Sequence, residues 1–195
     1  MAQSPYAGVA KTDWPLVTEQ LISSHPLTPH IVEIINDAWQ GMFSTSIGQA
    51  GLKIGVDIFP KPQIIGALLH ELIPAGVAAA FPGQWRKEIE KSDKDIVCVL
   101  DDFYSIELKT SSNKTQIFGN RSYAQQVSAG GKSKDGFYLA VNFEAFVSGG
   151  ATPKLLKVRF GWLDHTDWIA QVASTGQQAR LAPETYRDKF ITLFG

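Results

Sequence analysis

Residues 94–110 leave the backbone fewer options than any other stretch of the chain. Lys94-Asp95-Ile96-Val97-Cys98-Val99-Leu100 and Tyr104-Ser105-Ile106-Glu107-Leu108-Lys109-Thr110 are β-branched and apolar runs on either side of Asp101-Asp102-Phe103. That pattern predicts two antiparallel strands joined by a tight acidic turn. Side chains alternate along a strand, so Asp95, Val97 and Val99 share one face, and Ser105, Glu107 and Lys109 share one face of the return. A turn centred on Asp102 sets Asp95 opposite Lys109, with Glu107 one pleat away on the same side. Two carboxylates and an ammonium are expected to converge there.

Burying such a group is costly unless its charges compensate, and two carboxylates with no cation repel one another. A divalent metal resolves the conflict, and two carboxylates with water make a hard-oxygen site suited to Mg2+, completed by phosphate oxygens of a substrate. A lysine alongside offsets charge on the phosphate and orients the attacking water. Glu-x-Lys alone reads as a surface ion pair. An Asp at the start of one strand and the apolar setting of Glu107 and Lys109 on the other favour chemistry. Asp93 shares the strand parity of Asp95 and is the rival ligand; Asp95 is preferred because apolar residues follow it at once. Cys98 falls on the opposite face and reads as a buried structural thiol.

At these residues the chain resembles the PD-(D/E)xK nuclease superfamily, with Asp95 as the motif aspartate, Glu107 as the second acidic residue and Lys109 as the lysine. Lys94 replaces the proline that often precedes the aspartate. Lys94-Asp95-Ile96-Val97-Cys98, Ser105-Ile106-Glu107-Leu108-Lys109-Thr110-Ser111 and Phe118-Gly119-Asn120-Arg121-Ser122-Tyr123-Ala124-Gln125 together resemble the ScaI-type group of type II restriction endonucleases. This longer match is far more specific than the bare motif. The resemblance implies Mg2+-dependent cleavage of duplex DNA, and it adds the Leu108 backbone carbonyl to Asp95 and Glu107 as a metal ligand.

A chain of 195 residues with 44% hydrophobic residues can bury a sizeable core, and a single nuclease domain is expected over residues 1–195, with a helical part at 1–80 and a catalytic sheet core at 90–165. No apolar run approaches a membrane span and residues 1–10 lack a secretory pattern, so a cytoplasmic protein is expected. A net charge of −1 argues against coating nucleic acid nonspecifically. The distribution is uneven: residues 1–60 carry two basic against five acidic side chains, and residues 105–160 carry eight against three. One basic side on a neutral protein suits a phosphate-binding cleft.

A short helix is expected near Pro15, a second over residues 28–43 with Thr28 as its cap, and a third from Pro62 that Pro74 ends or kinks. Residues 52–59 suggest a short strand, 137–146 and 154–163 two further strands, and Pro183 starts a final helix through Tyr186, Phe190 and Leu193. His70-Glu71 fails as a zinc-protease motif because Pro74 stands where the second His is required, yet Glu71 could supply an extra acidic group to the cleft. Gly131-Lys132-Ser133 mimics the end of a phosphate loop, but Gln126 replaces its first glycine and nucleotide binding is rejected. Asn120, Arg121 and Gln125 are candidates for phosphate or base contacts. The segment Ser174-Thr175-Gly176-Gln177-Gln178-Ala179-Arg180 is the candidate for base readout, because Gln pairs bidentately with adenine and Arg with guanine.

The expected class is α+β (mixed α/β), a central, mostly antiparallel sheet flanked by helices with a restriction-endonuclease-like core. The expected function is that of a homodimeric type II restriction endonuclease using Mg2+ on double-stranded DNA, with a cognate DNA methyltransferase as genetic partner and no membrane association. The rivals are a structure-specific repair or recombination nuclease and an inactive DNA-binding module on the same scaffold.

Overall fold

Glu107 and Lys109 lie on a strand inside a six-stranded mixed sheet. The computed structural model describes residues 4–126, 131–147, 152–173 and 175–195. In chain order the elements are α1 (Trp14–Ser24), α2 (Ile31–Ser44), the hairpin β1 (Ser46–Ile47) and β2 (Leu52–Lys53), α3 (Pro62–Ala80), β3 (Trp85–Lys87), β4 (Ile96–Cys98), β5 (Ile106–Ser111), β6 (Phe118–Asn120), β7 (Gly136–Phe143), β8 (Leu155–Leu163), β9 (Trp168–Ala170), β10 (Gln178–Leu181), α4 (Pro183–Asp188) and β11 (Phe190–Phe194). The large sheet runs β11-β8-β7-β5-β4-β3, antiparallel except for the parallel β5–β7 pair, and β6-β10-β9 form a smaller antiparallel sheet. The large sheet draws its edge strands β3 and β11 from outside residues 90–165.

The alternation of β7 sorts the molecule into layers. Phe137, Leu139 and Val141 join the main core with Ile31 and Ile35 of α2 and Ile65, Leu69, Ile73 and Val77 of α3, whereas Tyr138 and Ala140 join a second core with Trp168, Ala179 and Leu181 of the small sheet. Helices thus cover one face of the large sheet and the small sheet covers part of the other. Parallel register places Glu107 beside Tyr138 and Lys109 beside Ala140, so both side chains point toward the small sheet while Ile106 and Leu108 enter the main core. On the helix side, Gly66 of α3 sits where a Cβ would come within 2.9 Å of Thr110 Oγ1, which lets α3 lie close along β5.

Several expectations are corrected. Residues 99–105 form a wider connection with a 3-10 turn at Asp102–Tyr104, and Ile96 pairs with Ile106, which carries Asp95 to the level of Glu107 and Leu108 rather than opposite Lys109. The Asp101 and Asp102 carboxylates accept from Phe103 N–H and the Ser105 hydroxyl, so the acidic cluster organises its own turn. Thr28 does not cap α2: its hydroxyl donates to the Ile22 carbonyl at 2.5 Å, closing the end of α1, and His30 occupies the cap position. The third helix does not end at Pro74 but continues to Ala80. The strand expected at residues 52–59 is only Leu52–Lys53. Beyond Asp188 the expected helix gives way to β11, because Phe190 and its neighbours find ladder partners on β8.

Among the described residues α3 has the length and composition of a membrane span, contrary to the sequence expectation. Its apolar face is occupied by the main core through Ile65, Leu69, Ile73 and Val77.

Candidate active site

The two strands of the predicted hairpin pair at one position and then part. A longer ladder would bond the Leu108 N–H; instead the Asp95 carboxylate reaches across the gap and accepts it through Oδ2 at 2.6 Å. Glu107, 2% exposed, stands beside it. Lys109 Nζ donates to Glu107 Oε1 at 2.7 Å and to the Leu108 carbonyl at 3.1 Å. The Tyr123 hydroxyl also donates to Glu107 Oε1, and the Tyr123 ring lies beneath the Lys109 ammonium at 4.6 Å. Asp95, Glu107 and Lys109 therefore converge as the sequence reading expects, through a register one pair removed from the expected one.

A fourth group completes the cluster. Lys132 Nζ lies 2.9 Å from Asp95 Oδ1, 2.8 Å from Glu107 Oε2 and 3.8 Å from Glu88 Oε2. Lys132 Nζ and Glu107 Oε2 thus form a buried charge contact. On the helix side, His70 Nδ1 is 3.9 Å from Asp95 Oδ2. Lys132 lies in the stretch rejected above as a phosphate loop. The sequence signal was a lysine between glycine and serine, and nothing in its spacing ties it to residues 95 or 107.

Burial opposes ionisation of Glu107, but the charges of Lys109 and Lys132 outweigh it and hold the carboxyl well below the usual carboxylate range. Burial also disfavours the Lys132 ammonium, and Glu107 and Asp95 reverse this and raise its pKa. Tyr123 is pushed upward by burial and then by Glu107, so it remains a hydrogen-bond donor. Burial lowers His70 despite the opposing pull of Asp95. Lys94 is buried behind the cluster, donating to the Ser133 carbonyl at 3.1 Å, and burial brings it down to about 8.

The remaining candidates separate. Asp93 accepts from Arg86 Nη1 at 2.6 Å and from the backbone N–H groups of Ile89 and Glu90, a closed arrangement that folds its own turn away from Asp95. Glu71 is exposed and pairs with Lys87; the α3 residue that approaches the carboxylates is His70. Asn120 and Gln178 face one another across the β6–β10 ladder, and both line a hollow with Lys109 and Tyr123. Gln178 also lines an adjoining cleft of about 520 Å3 with Gln63, Gly66 and His70 of α3 and Thr110 to one side. Arg180 is exposed two positions along β10, Gln177 accepts the Arg121 N–H through its carbonyl at 2.7 Å, and Gln125 is exposed beyond the 3-10 turn at Arg121–Ala124. Ser174 lies outside the described residues. The structure thus brings Asn120 and Gln178 to the cluster, whereas Arg121, Gln125, Gln177 and Arg180 lie in or next to β10 and the Arg121–Ala124 turn and do not line that hollow.

Among the described residues no set of three or more His, Cys, Asp or Glu is arranged to hold a metal. A cation at this cluster would rest on Asp95 and Glu107, whose Oδ1 and Oε2 atoms already hold one positive charge, the Lys132 ammonium. Two carboxylate oxygens suit a hard divalent cation.

The sequence model of the ScaI restriction endonuclease family matches residues 4–194. The type II restriction enzyme ScaI of Streptomyces caespitosus is 47% identical over 183 residues, covering 92% of this chain and 80% of that protein. No solved structure matches the chain significantly.

Proposed function

Because the chain belongs to the ScaI restriction endonuclease family, we propose that it is a type II restriction endonuclease that hydrolyses phosphodiester bonds of double-stranded DNA at a short, specific sequence. The observation that carries the reading is the meeting of Asp95, Glu107 and Lys109 at the point where β4 and β5 part, beside a hollow lined by Asn120 and Gln178.

We read the cluster as a PD-(D/E)xK arrangement with Mg2+ as cofactor, held by Asp95 and Glu107 with the Leu108 carbonyl as a further oxygen. The bound metal would supply a more nucleophilic water and polarise the phosphate. Glu107 stays ionised under the charges beside it, and the neutral Tyr123 hydroxyl fixes its carboxylate. Lys109, held between Glu107 Oε1 and the Leu108 carbonyl, presents its ammonium to charge developing on the phosphoryl oxygens and orients the attacking water. Asn120 and Gln178 are proposed to touch the DNA nearest the cut, and Arg121, Gln125, Gln177 and Arg180 to touch it farther out.

A short palindromic target is matched by a two-fold protein, so the enzyme is proposed to act as a homodimer, each subunit cutting one strand. A cytoplasmic location and a cognate DNA methyltransferase as genetic partner complete the proposal. Digestion of mixed-sequence DNA with Mg2+ tests it: discrete, reproducible fragments are expected. Fragments that follow DNA structure rather than sequence would replace restriction with repair or recombination, and intact DNA would leave a binding module.

A further inference from the structure

We propose that Lys132 is an active-site residue that serves as the resident counter-cation of Asp95 and Glu107 in the free enzyme and moves onto the phosphodiester when a divalent cation takes those two carboxylates. This rests on the reading of Asp95 and Glu107 as the metal-holding pair.

Lys109 neutralises only part of the cluster, because its hydrogen bonds go to Glu107 Oε1 and the Leu108 carbonyl. Among the described residues Lys132 is the cation that touches both carboxylates, one oxygen of each, at 2.9 and 2.8 Å. Asp95 Oδ2 is occupied by the Leu108 N–H and Glu107 Oε1 by Lys109 and Tyr123. The oxygens left for an incoming cation are therefore Asp95 Oδ1 and Glu107 Oε2, the same two that Lys132 holds. A dication and the ammonium cannot both occupy that gap without strong repulsion, so one displaces the other.

The two lysines are anchored differently. Lys109 is set in β5, with ladder bonds to β7 on one side and its aromatic seat on Tyr123. Lys132 stands outside any strand or helix, and its flexible stem lets the ammonium move several ångströms without disturbing the sheet. Once released, it is a cation tethered beside the carboxylates, where a scissile phosphate would bring the charge that most favours it. Glu88, 3.8 Å away at the exposed rim, marks the direction in which the cluster opens to solvent. Lys94 and Lys134 also face this region: Lys94 is tied to the Ser133 carbonyl and Lys134 lies over the Tyr123 ring at 4.3 Å, and neither touches Asp95 or Glu107.

The test is Mn2+ binding by the metal-free, full-length protein without DNA, followed by calorimetry or electron paramagnetic resonance, in wild type, Lys132→Met, Lys132→Gln, Lys132→Arg and Asp95→Asn. Met keeps the apolar stem and Gln a polar end, so either neutral variant suffices if the other folds poorly. Removing the competing charge is expected to tighten Mn2+ binding by about tenfold or more, with Lys132→Arg staying near wild type. Mn2+ should also raise the melting temperature of the neutral variants more than that of wild type. Single-turnover cleavage should nevertheless fall in Lys132→Met, because the phosphate loses its second ammonium. Unchanged or weaker Mn2+ binding in both neutral variants overturns the counter-cation role, and tighter binding with undiminished cleavage overturns the move onto phosphate. A wild-type protein whose Mn2+ binding is insensitive to Asp95→Asn refutes instead the metal-site reading on which the proposal stands.

Discussion

The Asp95 carboxylate substitutes for a strand: it bonds the Leu108 N–H at 2.6 Å where β4 has already turned away from β5. Asp95→Asn preserves an acceptor for that N–H and removes only the charge. The variant should fold like wild type by circular dichroism yet fail to cut DNA. Asp93→Asn should do the reverse, because Asp93 serves Arg86 and a turn. It should retain cleavage and lose on the order of 1 kcal/mol in urea titrations. If Asp93→Asn is inactive while Asp95→Asn cuts, the two aspartates have been assigned the wrong way round.

Lys109→Ala is predicted to lower single-turnover cleavage by roughly 10²–10³-fold, the usual cost of one donor to developing charge, while leaving DNA affinity nearly intact. Glu107→Gln should lose Mg2+-dependent cleavage, and its metal-free DNA binding should tighten as carboxylate repulsion of phosphate disappears. Gel-shift titrations in EDTA read the second effect. A Lys109→Ala enzyme that cuts at the wild-type rate would remove β5 from the chemistry.

His25 predicts a loss of stability in acid. Its ring is buried among Trp85, Tyr104, Phe137 and Phe160, with Nδ1 accepting the Leu27 N–H and Nε2 meeting the Tyr104 carbonyl, an arrangement for the neutral imidazole. Burial brings its pKa down to about 4 from an ordinary 6.5, against the smaller pull of the Tyr104 carbonyl. Below pH 6.5 the unfolded chain takes up the proton and the folded chain does not, so stability held above that pH is lost as pH falls toward 4. The full span corresponds to about 3 kcal/mol. Denaturant titrations at pH 7, 5.5 and 4.5 should show the decline, and His25→Gln should flatten it; an equal decline in that variant would assign the acid sensitivity to other groups.

Gln178→Ala and Asn120→Ala are predicted to weaken specific DNA binding by ~1–3 kcal/mol for each bidentate pairing with a base that the substitution removes, with weak nonspecific binding unchanged. Equilibrium competition between a cleaved sequence and unrelated DNA measures both. Equal weakening on both DNAs would mean that the two side chains meet the backbone rather than the bases.

How much of this was legible in the sequence depended on how local the cause was. Glu107 and Lys109 are readable because alternation on a buried strand ties them to neighbours two residues away. Asp95 is readable as a participant but not in register, since the 3-10 turn at Asp102–Tyr104 lengthens the connection in a way that alternation alone does not report. Lys132 and Tyr123 reach Glu107 from segments whose own patterns contain nothing about position 107. The small strands β3, β6, β9 and β10 are three or four residues long, too short to show a period, and they exist because partners elsewhere complete their ladders. The C-terminal strand β11 is hidden for the same reason: Tyr186, Phe190 and Leu193 fit helical spacing, and the β8 ladder decides against it.

Gly66 gives the cleft a gauge. Because the helix there approaches Thr110 so closely that one added carbon would touch its hydroxyl at 2.9 Å, the spacing between α3 and β5 is set by the smallest increment protein chemistry offers. Gly66 and Thr110 both line the cleft, so a methyl at position 66 would press on the cleft wall, and either the Thr110 side chain turns or α3 gives way. A shift of α3 would also be felt at the carboxylate–lysine cluster, because the same helix carries His70 to 3.9 Å from Asp95 Oδ2.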